Sequence, residues 1–347
     1  MAPAPSRHRL VTVSDPLVGV MGRVDRSESD SLRVGYPGVT LRVTFEGPRV
    51  AWRASCATSD CRVVVVTDGK PAKVIRLLQG EAEYVLAEGL APGVHTVDVV
   101  QRTETWQGIV TVRGFVFPAE ARVLAPAAWP DRRLLFIGDS VTCGEGVDRA
   151  SLQPGEQSSG ADAYGSYGML IARALGAQCH LVCYGGRGLV RDWQGRGDSL
   201  NAPQFFHLAL PEETAPVVWD HREYAPDLVF VSLGTNDFNA ELGAPPARQV
   251  FVGAYVEFLR VIRATYPRAK VVLTEGAIVK DESHGEKRKS LLRAYIAEVV
   301  EILAAPEVVF IPSTYYPGDL ADAHPTGEEH VKMAEDFVPD LARLLGW

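Results

Sequence analysis

The sequence lacks long apolar runs. No stretch is long enough to span a bilayer, so we expect no membrane span. The first ten residues contain no apolar core of the kind found in secretory signals, so we expect no signal peptide in the chain as given. Removal of such a signal would leave the same sequence, so the sequence does not assign the protein to a cellular compartment.

Cysteine is scarce, with five residues in 347. No pair has the two-residue spacing of a zinc finger and no histidine pair accompanies them, so we expect no metal site among the cysteines. Cys56 and Cys61 bracket a short polar turn, where an oxidising compartment would allow a local disulfide. The other three lie among apolar neighbours and are predicted to be buried free thiols, namely Cys143, Cys179 and Cys183.

An excess of positive charge is also absent. The 35 lysines and arginines face 43 aspartates and glutamates, a net charge of −8. This balance argues against nucleic acid and anionic membrane surfaces as partners. The 46% of hydrophobic and 22% of charged residues are typical of a globular protein, and 347 residues are enough for two domains.

The first third of the chain predicts β-structure. Apolar residues at 39, 41, 43 and 45 alternate with polar ones, as on a strand with one buried face. Asp68 and Gly69 between two apolar runs indicate a tight hairpin. No helical pattern interrupts the further strands predicted at 49–54, 61–67, 72–77, 95–102 and 108–117. This combination is typical of a β-sandwich of jelly-roll type, which we predict for residues 1–125.

A link rich in proline and alanine, residues 118–130, precedes a region of different texture. Here short apolar strands alternate with helical patterns. The predicted strands are 134–137, 180–184, 228–233, 271–274 and 308–311, and the predicted helices are 163–175, 247–266, 287–304 and 328–345. Such alternation predicts a three-layer α/β/α domain with a parallel sheet over residues 131–347.

Four polar motifs lie where predicted strands end or before the last helix. They are Gly-Asp-Ser ending at Ser140, Tyr-Gly-Gly-Arg-Gly containing Gly186, Gly-Thr-Asn-Asp containing Asn236, and Asp-Ala-His-Pro containing His324. Each motif taken alone is also consistent with an ordinary turn. Their shared position predicts that they meet at one edge of the sheet, where open α/β sheets bind ligands.

Taken together, these motifs resemble the SGNH (GDSL) hydrolase superfamily, whose four blocks are named for their Ser, Gly, Asn and His. All four are present in the right order between residues 134 and 347. The preceding β-region, with Arg-Thr-Glu at 102–104 and Tyr-Gly-Gly-Arg-Gly-Leu-Val-Arg from residue 184, looks like carbohydrate esterase family 2. That resemblance covers nearly the whole chain and implies removal of acetyl groups from xylan, glucomannan and related sugars.

The resemblance also implies a role for each motif. Ser140 is the expected nucleophile and His324 the expected general base. The oxyanion hole would consist of the backbone N–H groups of Ser140 and Gly186 and the side-chain amide of Asn236. Asp139 and Asp237 are expected to stabilise their own loops rather than to carry protons.

The third member of the expected triad departs from the superfamily pattern. The usual acid lies three residues before the histidine, and Ala321 occupies that position. Asp322, two residues before His324, is the nearest carboxylate, and some members of the sugar-esterase family place their acid there. Other members work as a Ser–His dyad, so a triad with Asp322 and a dyad both stay open.

Aromatic faces suit the apolar C–H face of a pyranose, so exposed aromatic residues are candidate sugar platforms. Trp193 and Trp106 are the predicted substrate-binding residues, and Trp219 and Tyr164 are further candidates. Packing in the core or between domains is the alternative for each. The loop 145–160 is expected to form one wall of the pocket.

These observations predict a serine esterase that removes acetyl groups from an oligo- or polysaccharide with neither a metal nor a cofactor. One alternative keeps the fold but changes the substrate to a lipid ester, a thioester or another non-carbohydrate ester. Another is a sugar-binding protein with a decayed site. The sugar, the ester position and the oligomeric state are left open by the sequence.

Overall fold

The computed structural model describes residues 8–152, 160–212, 214–282, 285–319 and 322–347. The first part of the chain consists of strands, with one short 3₁₀ turn. They are β1 (His8–Thr12), β2 (Gly19–Met21), β3 (Leu32–Val34), β4 (Thr40–Glu46), β5 (Arg49–Cys56), β6 (Arg62–Thr67), β7 (Lys70–Arg76), β8 (Ala82–Glu88), β9 (Val94–Gln101), β10 (Val110–Pro118) and β11 (Arg122–Leu124).

These strands form two antiparallel sheets that pack face to face. One has the order β1-β10-β5-β8 with β3 also on β10, and the other has the order β11-β4-β9-β6-β7 with β2 on β4. The alternating apolar residues of 39–45 are buried, and Phe45 of β4 contacts Phe117 of β10 with ring centroids 5.2 Å apart. The predicted hairpin joins β6 and β7, and its turn residues Asp68 and Gly69 both have positive φ, as a type I′ turn requires.

The second part of the chain alternates strands and helices. They are β12 (Arg132–Gly138), α1 (Ser140–Cys143), α2 (Tyr167–Ala174), β13 (Ala177–Cys183), α3 (Ala202–Phe205), β14 (Leu208–Leu210), β15 (Val217–Val218), β16 (Leu228–Ser232), α4 (Arg248–Thr265), β17 (Lys270–Thr274), α5 (Arg288–Leu303), β18 (Val308–Phe310) and α6 (Gly327–Leu345). Among the described residues, no helix combines the length and apolar character needed to cross a membrane.

A parallel sheet of order β13-β12-β16-β17-β18 forms the middle layer of this part. Helices α2 and α6 contact each other in one outer layer, and α4 and α5 contact each other in the other. The chain runs outward from β12 in both directions, so the carboxyl end of β12 is the switch point of the sheet. The predicted class, a β-sandwich followed by a three-layer α/β/α domain, is confirmed.

The two parts share a buried interface. Tyr36 of the sandwich donates its hydroxyl hydrogen to the carbonyl of Phe205 at 2.7 Å, and the Arg23 guanidinium donates to the carbonyl of Phe206 at 2.6 Å. We retain 1–125 and 131–347 as the proposed domain boundaries, because β11 ends the sandwich and β12 begins the parallel sheet. The sandwich therefore lies where it can contribute to a site on the second domain.

The cysteines have two different environments. Cys56 and Cys61 are joined by a disulfide at the end of β5. Cys143, Cys179 and Cys183 are free and buried, in agreement with the sequence-based interpretation.

Candidate active site

Ser140 lies in a tight turn between β12 and α1. Gly138 ends the strand, and a Cβ there would lie 2.0 Å from Thr142 Oγ1, so only glycine fits this turn. Asp139 caps the helix by accepting from the Val141 N–H at 3.1 Å, which is the loop-stabilising role expected for it. Burial raises the pKa of Asp139 to about 6. The turn therefore presents the Ser140 hydroxyl at the switch point of the sheet.

His324 reaches this hydroxyl from the loop that precedes α6. Its Nε2 lies 2.8 Å from Ser140 Oγ, and its Nδ1 lies 2.8 Å from Asp322 Oδ1. The same Asp322 oxygen accepts from the backbone N–H of His324 at 3.2 Å. Ala321, where the superfamily usually has its acid, lies outside the described residues. The structure thus brings the predicted serine, histidine and carboxylate into one hydrogen-bonded line.

Two neighbouring features hold the histidine loop. Arg149 pairs with Asp322 Oδ2 at 2.7 Å and donates to the carbonyl oxygen of His324 at 2.9 Å. Thr326 and Glu329 form a capping box at the start of α6, since the Thr326 N–H donates to Glu329 Oε2 at 2.9 Å. Arg149 could not be predicted as a site residue, because a single arginine in a long polar loop has no spacing or motif that marks its role.

The charges around His324 alter two pKa values. The hydrogen bond from His324 lowers the pKa of Asp322 to about 2, with the Arg149 charge adding to the effect. Burial alone would lower the pKa of His324, but the Asp322 hydrogen bond and the charge of Glu145 raise it overall. Glu145 Oε2 lies 3.7 Å from Nε2, the ring nitrogen that also contacts Ser140. From its sequence, Glu145 could be recognised only as part of the loop expected to form one wall of the pocket.

Two potential oxyanion donors flank Ser140, because β13 and β16 are the neighbours of β12. Gly186, after β13, has φ = +74°, and a Cβ there would lie 2.5 Å from Trp193 Cδ1. Asn236, after β16, is buried and donates one amide hydrogen to the carbonyl of Arg187 at 2.8 Å. Its amide donates to no other described residue, which leaves the second hydrogen available to a ligand.

Asp237 has the structural role expected from the sequence. Its carboxylate accepts from the backbone N–H groups of Leu189, Val190 and Arg191 at 2.8, 2.8 and 3.1 Å. Burial raises the pKa of Asp237, although these three N–H donors oppose the rise. The loop after β13, which includes Gly186, is thereby fixed to the loop after β16.

A cleft of about 470 Å³ opens over Ser140. Trp106 and Trp193 line it and are about half exposed, so both predicted platforms lie at the site. Trp219 does not reach the cleft, because it is buried beside His180, and Tyr164 lines a separate cavity between the two domains.

One group of described side chains combines ligand types that bind metals. The carboxylates of Glu145 and Asp322 and a ring nitrogen of His324 lie within 4.8 Å of one another. However, the two ring nitrogens are engaged by Ser140 and Asp322. We therefore assign no metal to this group.

Comparison with known proteins identifies the family. Residues 20–126 match the carbohydrate esterase 2 N-terminal family, and residues 136–337 match the GDSL-like lipase/acylhydrolase family. Over 339 residues the chain is 37% identical to an acetylxylan esterase/glucomannan deacetylase of Cellvibrio japonicus (strain Ueda107), covering 97% of this chain and 91% of that protein.

Solved structures give the same result. A family two carbohydrate esterase from Cellvibrio japonicus superposes with a TM-score of 0.91 and 36% identity over 99% of both chains. Another from Clostridium thermocellum, in complex with cellohexaose, superposes with a TM-score of 0.86 and 26% identity over 95% of this chain and 99% of that one. The chain therefore belongs to carbohydrate esterase family 2, with a GDSL-type hydrolase domain behind its β-sandwich.

Proposed function

We propose that the chain removes acetyl groups from acetylated xylan, glucomannan or related oligo- and polysaccharides. The observation that carries the proposal is the 2.8 Å contact between Ser140 Oγ and His324 Nε2 at the carboxyl edge of the sheet. The relative that is 37% identical bears the name acetylxylan esterase/glucomannan deacetylase, which supports the substrate class.

The proposed reaction has two half-reactions. Ser140 Oγ attacks the acetyl carbonyl while His324 Nε2 takes the hydroxyl proton, and the tetrahedral intermediate collapses to an acetyl-enzyme. The C–O bond to the sugar breaks, and His324 returns the proton to the leaving alcohol oxygen. Water then attacks the acetyl-enzyme with His324 again as base, which releases acetate and restores the Ser140 hydroxyl.

Three donors would stabilise the negative oxygen in both half-reactions. They are the N–H of Ser140 at the start of α1, the N–H of Gly186 and the free amide hydrogen of Asn236. Donors fixed before the reaction lower the barrier without reorganisation. The contact of Asn236 with the Arg187 carbonyl supplies that fixation for the side chain.

Aromatic side chains and cleft shape bear on the substrate. Trp106 and Trp193 offer two half-exposed aromatic faces beside Ser140, suited to sugar rings. A second cleft of about 510 Å³, partly lined by Phe238 and Ile278, shares Ser140 and His324 with the first. This second cleft favours the alternative of an ester with a longer acyl group.

The dependence of the hydrolysis rate on the length of the acyl group distinguishes an acetyl ester from an ester with a longer acyl group. We expect acetate release from acetylated xylan or glucomannan. We also expect p-nitrophenyl acetate to be cleaved much faster than p-nitrophenyl butyrate or p-nitrophenyl octanoate. Equal or faster cleavage of the longer esters would contradict deacetylation as the main activity. Glycan binding without any ester cleavage would instead indicate a decayed site.

Replacing Asn236 with alanine should lower kcat about 10²–10³-fold with little change in KM, because the amide binds charge that forms only in the transition state. Steady-state kinetics on p-nitrophenyl acetate measure the changes in kcat and KM separately, and the melting temperature checks that the variant is folded. A rise in KM at unchanged kcat would place Asn236 in substrate binding rather than in the oxyanion hole.

The acid limb of the pH profile should lie above the usual imidazole pKa of about 6.5. His324 must be neutral to act as base, and its raised pKa keeps it protonated to higher pH, so kcat/KM falls as pH drops through that value. Glu145→Gln removes a nearby negative charge and should shift the limb to lower pH. The control Glu120→Gln, in an exposed turn of the sandwich, should leave it in place. If the acid limb of the pH profile stays in place in Glu145→Gln, Glu145 does not influence the pKa of His324.

A further inference from the structure

Residues 102–106 bring the β-sandwich to the edge of the candidate active site. They follow β9 directly, and Arg102, Thr103 and Glu104 are all buried. The side chain of Trp106, two residues later, lines the cleft over Ser140. The Arg-Thr-Glu sequence has no part in the reaction steps above, although its side chains reach the loops on both sides of the nucleophile.

Arg102 fixes the loop that follows the nucleophile. Its Nε donates to the carbonyl of Ala161 at 2.8 Å, and its guanidinium pairs with Asp148. The backbone N–H of Ala163 donates to the Arg102 carbonyl at 3.1 Å. Arg149, which holds Asp322 and His324, is the next residue after Asp148, so this contact supports the histidine side of the site.

Glu104 fixes the opposite side. Its Oε2 accepts from the backbone N–H of Gly185 at 2.6 Å, a contact that crosses from the sandwich to the catalytic domain. The approach is close enough that a Cβ on Gly185 would lie 2.8 Å from the same oxygen. Glu104 is itself held in place, because its own backbone N–H donates to Gln107 Oε1 at 3.0 Å.

Gly185 and Gly186 are consecutive glycines, so neither has a side chain that could restrict the backbone. The orientation of the Gly186 N–H therefore depends on what holds the backbone on each side of it. Trp193 holds the far side, since its N–H donates to the Gly186 carbonyl at 2.8 Å. Glu104 holds the near side, at Gly185.

The carboxyl group of Glu104 lies in an environment that disfavours charge. Burial and the negative charge of Glu145 raise the pKa of Glu104 to about 8. Its second oxygen, Oε1, is buried, and no described donor reaches it with normal hydrogen-bond geometry. The Cys143 thiol and the Trp106 side chain lie near the carboxyl group and oppose the rise of its pKa. A neutral group therefore suits the position, and glutamine, whose carbonyl oxygen also accepts, imitates the protonated acid.

We propose that Glu104, a residue of the β-sandwich, is a positioning residue that orients the Gly186 N–H toward the oxyanion through its hydrogen bond to Gly185. The proposal rests on the proposed esterase function and deepens it. The sandwich then completes the oxyanion hole of the catalytic domain, in addition to providing a wall of the cleft.

The test compares Glu104→Gln, Glu104→Ala and Glu104→Met in the full chain. Loss of the acceptor in the alanine and methionine variants should lower kcat for p-nitrophenyl acetate about 10- to 100-fold at nearly constant KM, because the donor is misplaced rather than deleted. The glutamine variant should stay within about threefold of the wild type. Methionine nearly keeps the volume of the side chain, so the methionine variant still tests the proposal if the alanine variant fails to fold.

A tetrahedral inhibitor gives a second readout. A small alkylboronic acid binds Ser140 Oγ through its boron, with the proton passing to His324, and places an oxygen in the oxyanion hole. Its affinity should fall by the same factor as kcat in the alanine and methionine variants, while xylo-oligosaccharide affinity stays unchanged. A purely structural role would not separate these two affinities.

Tyr36→Phe is the matched control. It deletes another buried hydrogen bond between the domains, the one to the Phe205 carbonyl, but leaves the acceptor of the Gly185 N–H in place. It should lower the melting temperature but leave kcat within about threefold. Unchanged kcat in Glu104→Ala and Glu104→Met, or a glutamine variant as slow as these two, would overturn the proposal. Full activity in Ser140→Ala would instead overturn the proposed function itself.

Discussion

Replacing Ser140 with alanine should reduce kcat for ester hydrolysis about 10⁵–10⁶-fold. The reason is that no other group in the described cleft can form the acyl-enzyme in its place. Deleting the nucleophile of a serine hydrolase typically costs about this factor, and only catalysis by the oxyanion hole and substrate binding is left. The loss corresponds to about 7–8 kcal/mol of transition-state stabilisation.

Thr142→Val provides the matched control for this prediction. Thr142 lies two residues beyond Ser140 in the same short helix, is fully buried, and shares a hydrogen bond with the Tyr167 hydroxyl at 2.8 Å. Loss of this hydrogen bond in Thr142→Val should destabilise the fold by about 1 kcal/mol and change kcat only a few-fold. Acetate release from acetylated xylan measures both variants. Ser140→Ala with more than a tenth of wild-type activity would contradict a serine mechanism.

The main features of the fold could be predicted because their sequence signals are local. The buried strand that becomes β16 is a continuous apolar run, and the alternating residues of β4 mark its buried face. Strands that lack such patterns could not be predicted, namely β1, β2, β3, β8, β11, β14 and β15. In β8 only Leu86 is fully buried, so its composition reflects a solvent-facing edge strand rather than a core strand.

The catalytic members of the candidate site that could be predicted sit directly at strand ends or in the loop before the last helix. Ser140, Gly186 and Asn236 follow three adjacent strands, so topology alone brings them together. Arg149, Glu145 and Glu104 act through tertiary contacts whose partners are distant in the chain. For example, Glu104 and Gly185 are 81 residues apart. No spacing rule connects such residues. The fold of the catalytic domain reveals Arg149 and Glu145, and the packing of the two domains reveals Glu104.

Asp322→Asn should lower kcat/KM about 10²–10⁴-fold if Asp322 is the third member of a triad. The carboxylate keeps the proton of neutral His324 on Nδ1 and stabilises the imidazolium that forms during attack. With a pKa lowered to about 2, Asp322 is ionised throughout the working range, so the loss should persist at every pH at which the enzyme is stable. The acid limb should also move to lower pH, because His324 loses a partner that raises its pKa.

The size of this effect separates a triad from a dyad, because asparagine keeps the oxygen that accepts a hydrogen bond within the loop and loses only the carboxylate charge that faces His324 and Arg149. Its side-chain oxygen can still accept from the His324 backbone N–H, and Arg149 still binds the His324 carbonyl. Asp319→Asn is the matched control, since Asp319 also contacts Arg149, at 3.3 Å, and should cost only a few-fold. A loss below about tenfold in Asp322→Asn, equal to that of the control, would indicate a Ser–His dyad. In that case Arg149, through its bond to the His324 carbonyl, would be sufficient to hold the base against Ser140.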